Sequence, residues 1–144
     1  MDLDDALETF IVECRELLED METALLGLEG AQEKDELVNA IFRTAHTIKG
    51  SSGLFSLDHI VAFTHVVESV LDQVRGGKVV LGDKLVVLLL ACCDHMGNLV
   101  NGVAGGDHSG NAELLEVGEP LVAQLRAYLD APKIEATQQA LQEL

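Results

Sequence analysis

One short stretch of the sequence carries the side chains best suited to chemistry. Residues 44–55 read Thr-Ala-His-Thr-Ile-Lys-Gly-Ser-Ser-Gly-Leu-Phe, so that His46 is followed by Lys49, Gly50 and Gly53. Residues at these spacings lie on one face of a helix. An imidazole can act as a nucleophile, an ammonium group attracts anions, and glycines let a second molecule approach closely. We expect His46 to be the functional centre of the chain.

The next predicted helix brings further polar residues to the same place. Short connections make neighbouring helices antiparallel, and the turn between these two helices is expected at residues 55–57. His65 and Glu68 follow this turn at nearly the distance by which His46 precedes it. All three then lie at one height, roughly 15 Å from the turn. The hairpin therefore predicts that His46 can contact His65 and Glu68.

This group of side chains suits nucleophilic attack of His46 on phosphorus. A carboxylate that accepts the Nδ1 proton fixes the tautomer, leaves the Nε2 lone pair free and stabilises the positive charge that develops on the ring. Glu68 fits that task, and Lys49 can supply charge to phosphoryl oxygens. The sequence has no glycine-rich phosphate-binding loop and no magnesium-binding cluster. We therefore expect a domain that receives a phosphoryl group and has no cofactor or metal of its own.

Helical periodicity runs through the elements that must position this group. The composition is 48% apolar but only 3% aromatic, which favours an aliphatic core between packed helices. Apolar stripes and glycine-containing stops predict an all-α fold, an antiparallel up-and-down four-helix bundle with a fifth C-terminal helix. The five helices are predicted at about residues 3–28, 35–53, 58–75, 83–104 and 111–129.

The C-terminal part interrupts this pattern. Pro120 has no amide hydrogen to bond to Glu116, so the fifth helix is expected to kink or break there. We place one domain at residues 1–130 and a tail, a short helix or the start of a linker, at residues 131–144. Because no large apolar face remains once the bundle has formed, the domain is expected to be a monomer.

Charge and cysteine content bear on partners and location. Nine Lys and Arg against 25 Asp and Glu give a net charge of −16, which argues against nucleic acid and anionic membranes as partners. The most apolar run, residues 85–93, is about half as long as a bilayer-spanning helix. Three cysteines, an odd number, indicate a reducing compartment, and the acidic N-terminus lacks a signal-peptide pattern. We expect a cytoplasmic protein whose cysteines are small core residues.

Other interpretations compete with the phosphoryl acceptor. His46, His65 and Glu68 resemble part of a di-iron site, but such sites need further inward-facing carboxylates, which the first and fourth helices do not offer. Gly50 and Gly53 could serve close helix packing. The first helix could dock a partner through its acidic face, with no chemistry at His46. The histidines outside the hairpin site are expected at the surface or in helix caps: His59, His95 and His108.

The second and third predicted helices also carry a family resemblance. Residues 46–55, followed by residues 63–72 and the Arg-Gly-Gly of residues 75–77, resemble the N-terminal histidine phosphotransfer (HPt) domain of chemotaxis histidine kinases of the CheA type. The resemblance covers about the first 105 residues. A His-x-x-Lys-Gly signature alone is modest evidence, whereas its combination with His-x-x-Glu at this downstream distance is specific.

The resemblance implies a role for each residue. His46 is the phosphorylated histidine, Glu68 its Nδ1 partner, Lys49 a phosphate-stabilising neighbour and His65 part of their hydrogen-bonding network. Ser56 stands where many relatives carry glycine. The phosphoryl group comes from a separate kinase core that uses ATP and Mg, and the acceptors are aspartates of CheY-type receiver domains. A phosphorelay unrelated to chemotaxis is the alternative. On either implication the isolated domain is a phosphoacceptor, not a catalyst by itself.

The face that carries His46 is also predicted to be the one that partner proteins approach. Phe42 lies one turn before His46, Gly50 one turn after it and Gly53 two turns after it. Two glycines inside a helix each cost on the order of 1 kcal/mol relative to alanine, which requires a reason other than helix formation. Close approach of another protein to His46 is such a reason.

Overall fold

Five helices make up the computed structural model, which describes the backbone of residues 3–143 and the side chains of residues 3–130. The bounds of the first four helices agree with the predicted ones to within two residues. The helices are α1 (Leu3–Leu26), α2 (Lys34–Leu54), α3 (Asp58–Arg75), α4 (Asp83–Ala104) and α5 (Ala112–Glu143).

The helices pack in chain order around one core. Helix α1 contacts α2 and α4, α3 contacts α2 and α4, and α5 lies against α3 and α4. Short connections between the first four helices give the up-and-down arrangement. The predicted all-α fold, a four-helix bundle with a fifth helix, is therefore confirmed. The predicted burial of the cysteines is also found, since Cys14, Cys92 and Cys93 are buried free thiols.

One face of α2 is fixed by the core. Ile41, Ala45 and Ile48 are completely buried, and their steps of four and three residues follow the helical repeat. His46 comes one residue after Ala45, which turns it about 100° away from that buried position. The packing of α2 thus directs His46 to the surface.

The turn that links α2 to α3 ends α2 in a Schellman motif. The amide of Leu57 donates to the carbonyl of Ser52 at 3.0 Å, and the amide of Ser56 donates to the carbonyl of Gly53 at 3.1 Å. This motif requires a left-handed residue, and Ser56 adopts it with a φ of 56°. A side chain in that conformation costs about 1 kcal/mol or more. The position explains why a glycine suits this site.

Helix α5 differs from its prediction at both Pro120 and its end. It runs unbroken from Ala112 to Glu143, so the expectations of a break at Pro120 and of an end near residue 129 are wrong. Pro120 removes a single backbone hydrogen bond, while Leu125 is completely buried beneath the helix. Packing of α5 on α3 and α4 offsets the lost bond.

The expectation of a surface position is wrong for His95. It is 3% exposed, because it continues the apolar stripe of α4 between Cys92 and Leu99. Its ring meets the ring of Phe63 edge-on, with centroids 4.6 Å apart. On its other side lies Gly118 of α5, where an added Cβ would come within 2.7 Å of the His95 Nε2. Gly118 thus provides space for the imidazole and does not end the helix.

The other two histidines outside the hairpin differ from each other. His108 is exposed, in agreement with the prediction. His59 is half-buried, and no hydrogen-bond partner is found for either of its ring nitrogens among the described residues. Close contact between the His59 ring and Gly110 explains this burial, since the loop before α5 covers the imidazole.

Helix α4 has the length and hydropathy of a helix that could cross a membrane, the one such helix among the described residues. Half of its most apolar window is buried inside the bundle. Core helices of soluble proteins share these properties, so the composition of α4 alone is weak evidence for a membrane span.

Candidate functional site

The hairpin of α2 and α3 joins His46 to Glu68. The His46 Nδ1 lies 2.7 Å from the Glu68 Oε2. The His46 side chain is 64% exposed, whereas that of Glu68 is 12% exposed. A partly buried carboxylate thus holds one edge of an imidazole whose remainder faces solvent. The contact that the hairpin spacing predicts is present.

The second oxygen of Glu68 is also occupied. The Lys49 Nζ donates to the Glu68 Oε1 at 2.7 Å. Burial alone would raise the pKa of Glu68, but the hydrogen bonds from Lys49 and His46 outweigh burial and lower that pKa below its ordinary value. An ionised carboxylate can only accept hydrogen bonds. The His46 proton therefore lies on Nδ1, and the lone pair of the neutral ring lies on Nε2.

Open space surrounds the exposed edge of His46. Gly50 and Gly53 are both exposed, and a Cβ added at either glycine would meet no atom within 4 Å. The interpretation that these glycines serve close helix packing is therefore wrong, because no helix of the described part of the chain packs against them. Their effect is to keep the surface beside His46 low.

The Phe42 side chain borders the imidazole on the side away from the turn, and the Arg75 side chain lies over Phe42. The Phe42 ring lies 6.2 Å from the His46 ring, with 11° between their planes. The Arg75 guanidinium lies over the Phe42 ring, its Cζ 3.9 Å from the ring centroid. Phe42 thus lies beside the imidazole, where it was predicted. The contact with Arg75 was not predicted.

His65 is not brought into this group. Its side chain is exposed, and within residues 3–130 no hydrogen bond links its ring to His46 or Glu68. The hairpin is compatible with the predicted height of His65, but the direction of the His65 side chain does not bring it to His46 and Glu68. At 100° per residue it lies about 60° further from the buried face of α3 than Glu68 does. The role implied for His65 thus stays a prediction without a contact to support it.

The described residues contain no group of three or more His, Cys, Asp or Glu side chains placed to hold a metal ion. A di-iron site needs such a group from several helices. On α1, the carboxylates Glu13 and Glu16 are exposed and do not face the bundle interior. The geometry of His46 and Glu68 is that of a histidine held by a carboxylate, which a lysine also binds.

Sequence reasoning missed two contacts of this site. Both the Lys49–Glu68 pair and the Phe42–Arg75 pair follow from the antiparallel register that places Glu68 beside His46. Each joins a residue of α2 to the residue that faces it on α3. The signal was therefore present in the hairpin spacing, which could have been applied to every charged or aromatic residue on these faces.

Comparison with known proteins identifies the family of this chain. Residues 5–102 match the family model of the Hpt domain. The chemotaxis protein CheA of Rhizobium meliloti is 36% identical over 124 residues, which cover 84% of this chain and 16% of that protein. CheA of Salmonella typhimurium is 42% identical over 96 residues, which cover 67% of this chain and 14% of that protein. The chain thus spans about a sixth of the length of these curated relatives.

Solved structures extend the agreement to the fold. The phosphorylated P1 domain of CheA3 in complex with CheY6 from R. sphaeroides has a TM-score of 0.77 at 21% identity, covering 88% of this chain and 99% of that one. The CheA phosphotransferase domain from Thermotoga maritima has a TM-score of 0.67 at 28% identity, covering 72% of this chain and 99% of that one. The chain belongs to the histidine phosphotransfer domain family and is homologous to the phosphotransfer domain of CheA.

Proposed function

We propose that this chain is the phosphotransfer domain of a CheA-type chemotaxis kinase and that His46 carries the phosphoryl group. The observation that carries the proposal is the 2.7 Å contact between the His46 Nδ1 and the partly buried Glu68 carboxylate, with the rest of the ring exposed. That contact leaves the Nε2 lone pair available to an incoming phosphorus atom.

In the first transfer, the Nε2 lone pair attacks the γ-phosphorus of ATP held by a separate kinase core. A bond forms between Nε2 and phosphorus, the bond between phosphorus and the β,γ-bridging oxygen breaks, and ADP leaves. The Nδ1 proton stays in place, so the ring gains a positive charge. Glu68, held ionised by Lys49 and His46, stabilises that charge.

Lys49 has a place on both sides of this step. Before phosphorylation its ammonium group binds Glu68. Its position one helical turn after His46 brings it close to phosphoryl oxygens once they are attached to Nε2. The interaction supplies positive charge to the phosphoryl group in a chain whose net charge is −16.

In the second transfer, a carboxylate oxygen of a receiver aspartate attacks the same phosphorus. The bond between phosphorus and Nε2 breaks, and the neutral imidazole is restored. The open surface at Gly50 and Gly53 supports such an approach, since the receiver must bring its own active site to within bonding distance of Nε2. The complex of the related P1 domain with CheY6 supports a CheY-type partner.

The proposal also assigns the tasks that this chain does not perform. ATP and Mg belong to the separate kinase core, because the chain offers no phosphate-binding loop. The isolated domain receives and donates the phosphoryl group as a monomer, and it works in the cytoplasm, where ATP and receiver domains are found.

Radiolabelled ATP and a CheA-type kinase core test the proposal directly. The wild-type chain should acquire label that is labile in acid and stable in alkali, as phosphohistidine is, and His46→Gln should acquire none. A CheY-type receiver added to the labelled chain should then remove the label. Equal labelling of wild type and His46→Gln would refute the assignment of His46, and label that no CheY-type receiver removes would favour a relay unrelated to chemotaxis.

A further inference from the structure

The α2–α3 hairpin holds the His46 ring through two layers of contacts. Nearer the turn, Glu68 binds both His46 and Lys49. Further from the turn, Arg75 lies over the Phe42 ring, and that ring lies nearly parallel to the His46 ring. The first layer contacts an edge of the imidazole, and the second borders its face.

We infer that Arg75 is a positioning residue for phosphoryl transfer, which acts on His46 through Phe42. The inference rests on the proposed function, in which the His46 Nε2 is the nucleophile. It states that Arg75 fixes the Phe42 ring, and that the fixed ring limits the orientations of the imidazole.

The first layer alone leaves the ring partly free. A hydrogen bond at Nδ1 fixes the tautomer and one edge of the imidazole, but it permits rotation of the ring about the line from Nδ1 to Oε2. Such rotation moves Nε2, the atom that must lie in line with the breaking phosphorus bond. The Phe42 ring, whose centroid lies 6.2 Å from that of the imidazole and whose plane is within 11° of parallel to it, limits that rotation by offset stacking.

Phe42 in turn needs a second contact to hold it. Its side chain is only half-buried, so the core covers one part of the ring and leaves the rest able to move. The Arg75 guanidinium lies over this ring, with its Cζ 3.9 Å from the ring centroid, a distance typical of a cation–π contact. Asp72, one turn earlier on α3, lies 3.7 Å from the guanidinium. Because both side chains of this pair are exposed, it contributes little to holding Arg75, and the contact over Phe42 is the closer of the two.

A small phosphodonor separates this positioning from partner docking. Phosphoramidate transfers its phosphoryl group to histidine without a protein partner: a bond forms between Nε2 and phosphorus, the bond between phosphorus and nitrogen of the donor breaks, and ammonia leaves. The experiment measures the rate constant of His46 phosphorylation in the complete chain by mass spectrometry. The variants are Arg75→Gln, Phe42→Leu and both together, each at a temperature far below its thermal midpoint.

Arg43 offers the matched control for charge. It lies next to Phe42 in the sequence and is exposed, and no ion pair of its guanidinium is found among the described residues. Arg43→Gln removes the same charge from the same region without touching the contact over Phe42. Its rate constant should equal that of the wild type.

The inference predicts a specific pattern of rate constants. Arg75→Gln and Phe42→Leu should each lower the rate about two- to fivefold, the range of a cation–π contact of ordinary strength. The double variant should be no slower than Phe42→Leu, because Arg75 acts through that ring. Arg75→Lys should recover part of the loss. Loss of positioning in Arg75→Gln should also broaden the NMR signals of the His46 ring. A change elsewhere in the fold would leave those signals unaltered.

Two results would overturn the inference while the proposed function stands: an Arg75→Gln rate equal to that of the wild type, or losses that add in the double variant. Additive losses would mean that Arg75 acts on the phosphoryl group directly. A wild-type chain that phosphoramidate and the kinase core both leave unlabelled at His46 would refute the proposed function and the inference together.

Discussion

The surroundings of His46 and of His95 combine a histidine with glycines but use these residue types in opposite ways. His46 is exposed, has a carboxylate at Nδ1 and lies near glycines with empty space above them. His95 is buried, its Nδ1 has no hydrogen-bond partner among the described residues, and its ring occupies the space above Gly118. The first arrangement leaves a nitrogen available to another molecule. The second uses an imidazole to fill a core.

The comparison shows that neither residue type reveals its role by itself. A glycine inside a helix marks a close approach in both places, but the approaching group differs. At Gly118 it is a side chain of the same protein, and at Gly53 the proposed approaching group is a partner protein. The deciding quantity is what a Cβ would meet at each position.

The largest effect is expected when the carboxylate that distinguishes His46 from His95 is removed. Glu68→Gln keeps an oxygen that can accept from Nδ1 but removes the negative charge that stabilises the phosphorylated ring. The rate of phosphorylation by the kinase core should fall about tenfold to a hundredfold, the usual range for loss of a partner that orients and charges an imidazole. Initial rates with radiolabelled ATP measure it, and an unchanged rate would remove Glu68 from the mechanism.

His65→Gln is the matched control for Glu68→Gln, because both change a polar residue on the same stretch of α3. The structure predicts a rate equal to that of the wild type, since no hydrogen bond links the His65 ring to the site within the described residues. A rate reduced as strongly as that of Glu68→Gln would restore His65 to the network that the family resemblance implies.

Gly118→Ala tests the other side of the comparison. The new Cβ would lie 2.7 Å from the His95 Nε2, so either the buried ring or α5 must shift. Overpacking of this kind should lower the free energy of unfolding by about 1–3 kcal/mol, measured by urea denaturation. Phosphorylation of His46 should be unaffected below the unfolding transition. A His95→Ala background creates room for the methyl group, and an equal loss in that background would show that His95 is not the cause.

The burial of His95 and the partial burial of His59 predict how stability depends on pH. Burial lowers the pKa of His95, and burial lowers that of His59 despite the opposing charges of Asp107 and Asp58, from an ordinary value of 6.5. Below that value the unfolded chain binds protons that the folded chain does not. The contribution of these two histidines to the free energy of unfolding is therefore fully present above pH 6.5 and is lost as the pH falls below that value. Thermal midpoints measured from about pH 7.5 down to pH 5 should decline.

His95→Phe removes one of these two groups and serves as the control for the pH experiment. Its thermal midpoint should decline less steeply over the same range, whatever its value at neutral pH. Glu68 does not interfere, because its pKa is lowered from an ordinary value of 4.5 and its contribution is lost only below that value. A slope equal to that of the wild type would show that His95 does not titrate differently in the folded and unfolded chains.

The smallest effect has the opposite sign to that of Gly118→Ala. Gly53→Ala should raise the free energy of unfolding by about 1 kcal/mol, because alanine is the better helix former and the new methyl group meets no atom. The same change should slow phosphoryl transfer to a CheY-type receiver and leave labelling by phosphoramidate unchanged. A stabilised variant with undiminished transfer would show that the low surface at Gly53 has no part in docking.

The fold and the centre of the site could be predicted from the sequence because both depend on local periodicity. Apolar stripes and glycine stops set the helix bounds, and one hairpin brings Glu68 to His46. Contacts that depend on side-chain direction were harder to predict, as the exposed His65 shows. The burial of His95 depends on Gly118, which lies on another helix, and the Gly-Glu-Pro sequence there reads as a break. The steps of three and four residues from Cys92 to His95 and on to Leu99 follow the helical repeat of a buried face, so this spacing could have predicted the burial of His95.

The compact placement of the site along the chain has a consequence for folding. Phe42, His46, Lys49, Glu68 and Arg75 all belong to two consecutive helices joined by one short turn. Closing such a loop has a low entropic cost, and its contacts form early relative to those between distant segments. The side chains of the site can therefore come together when the α2–α3 hairpin forms, before α5 is in place.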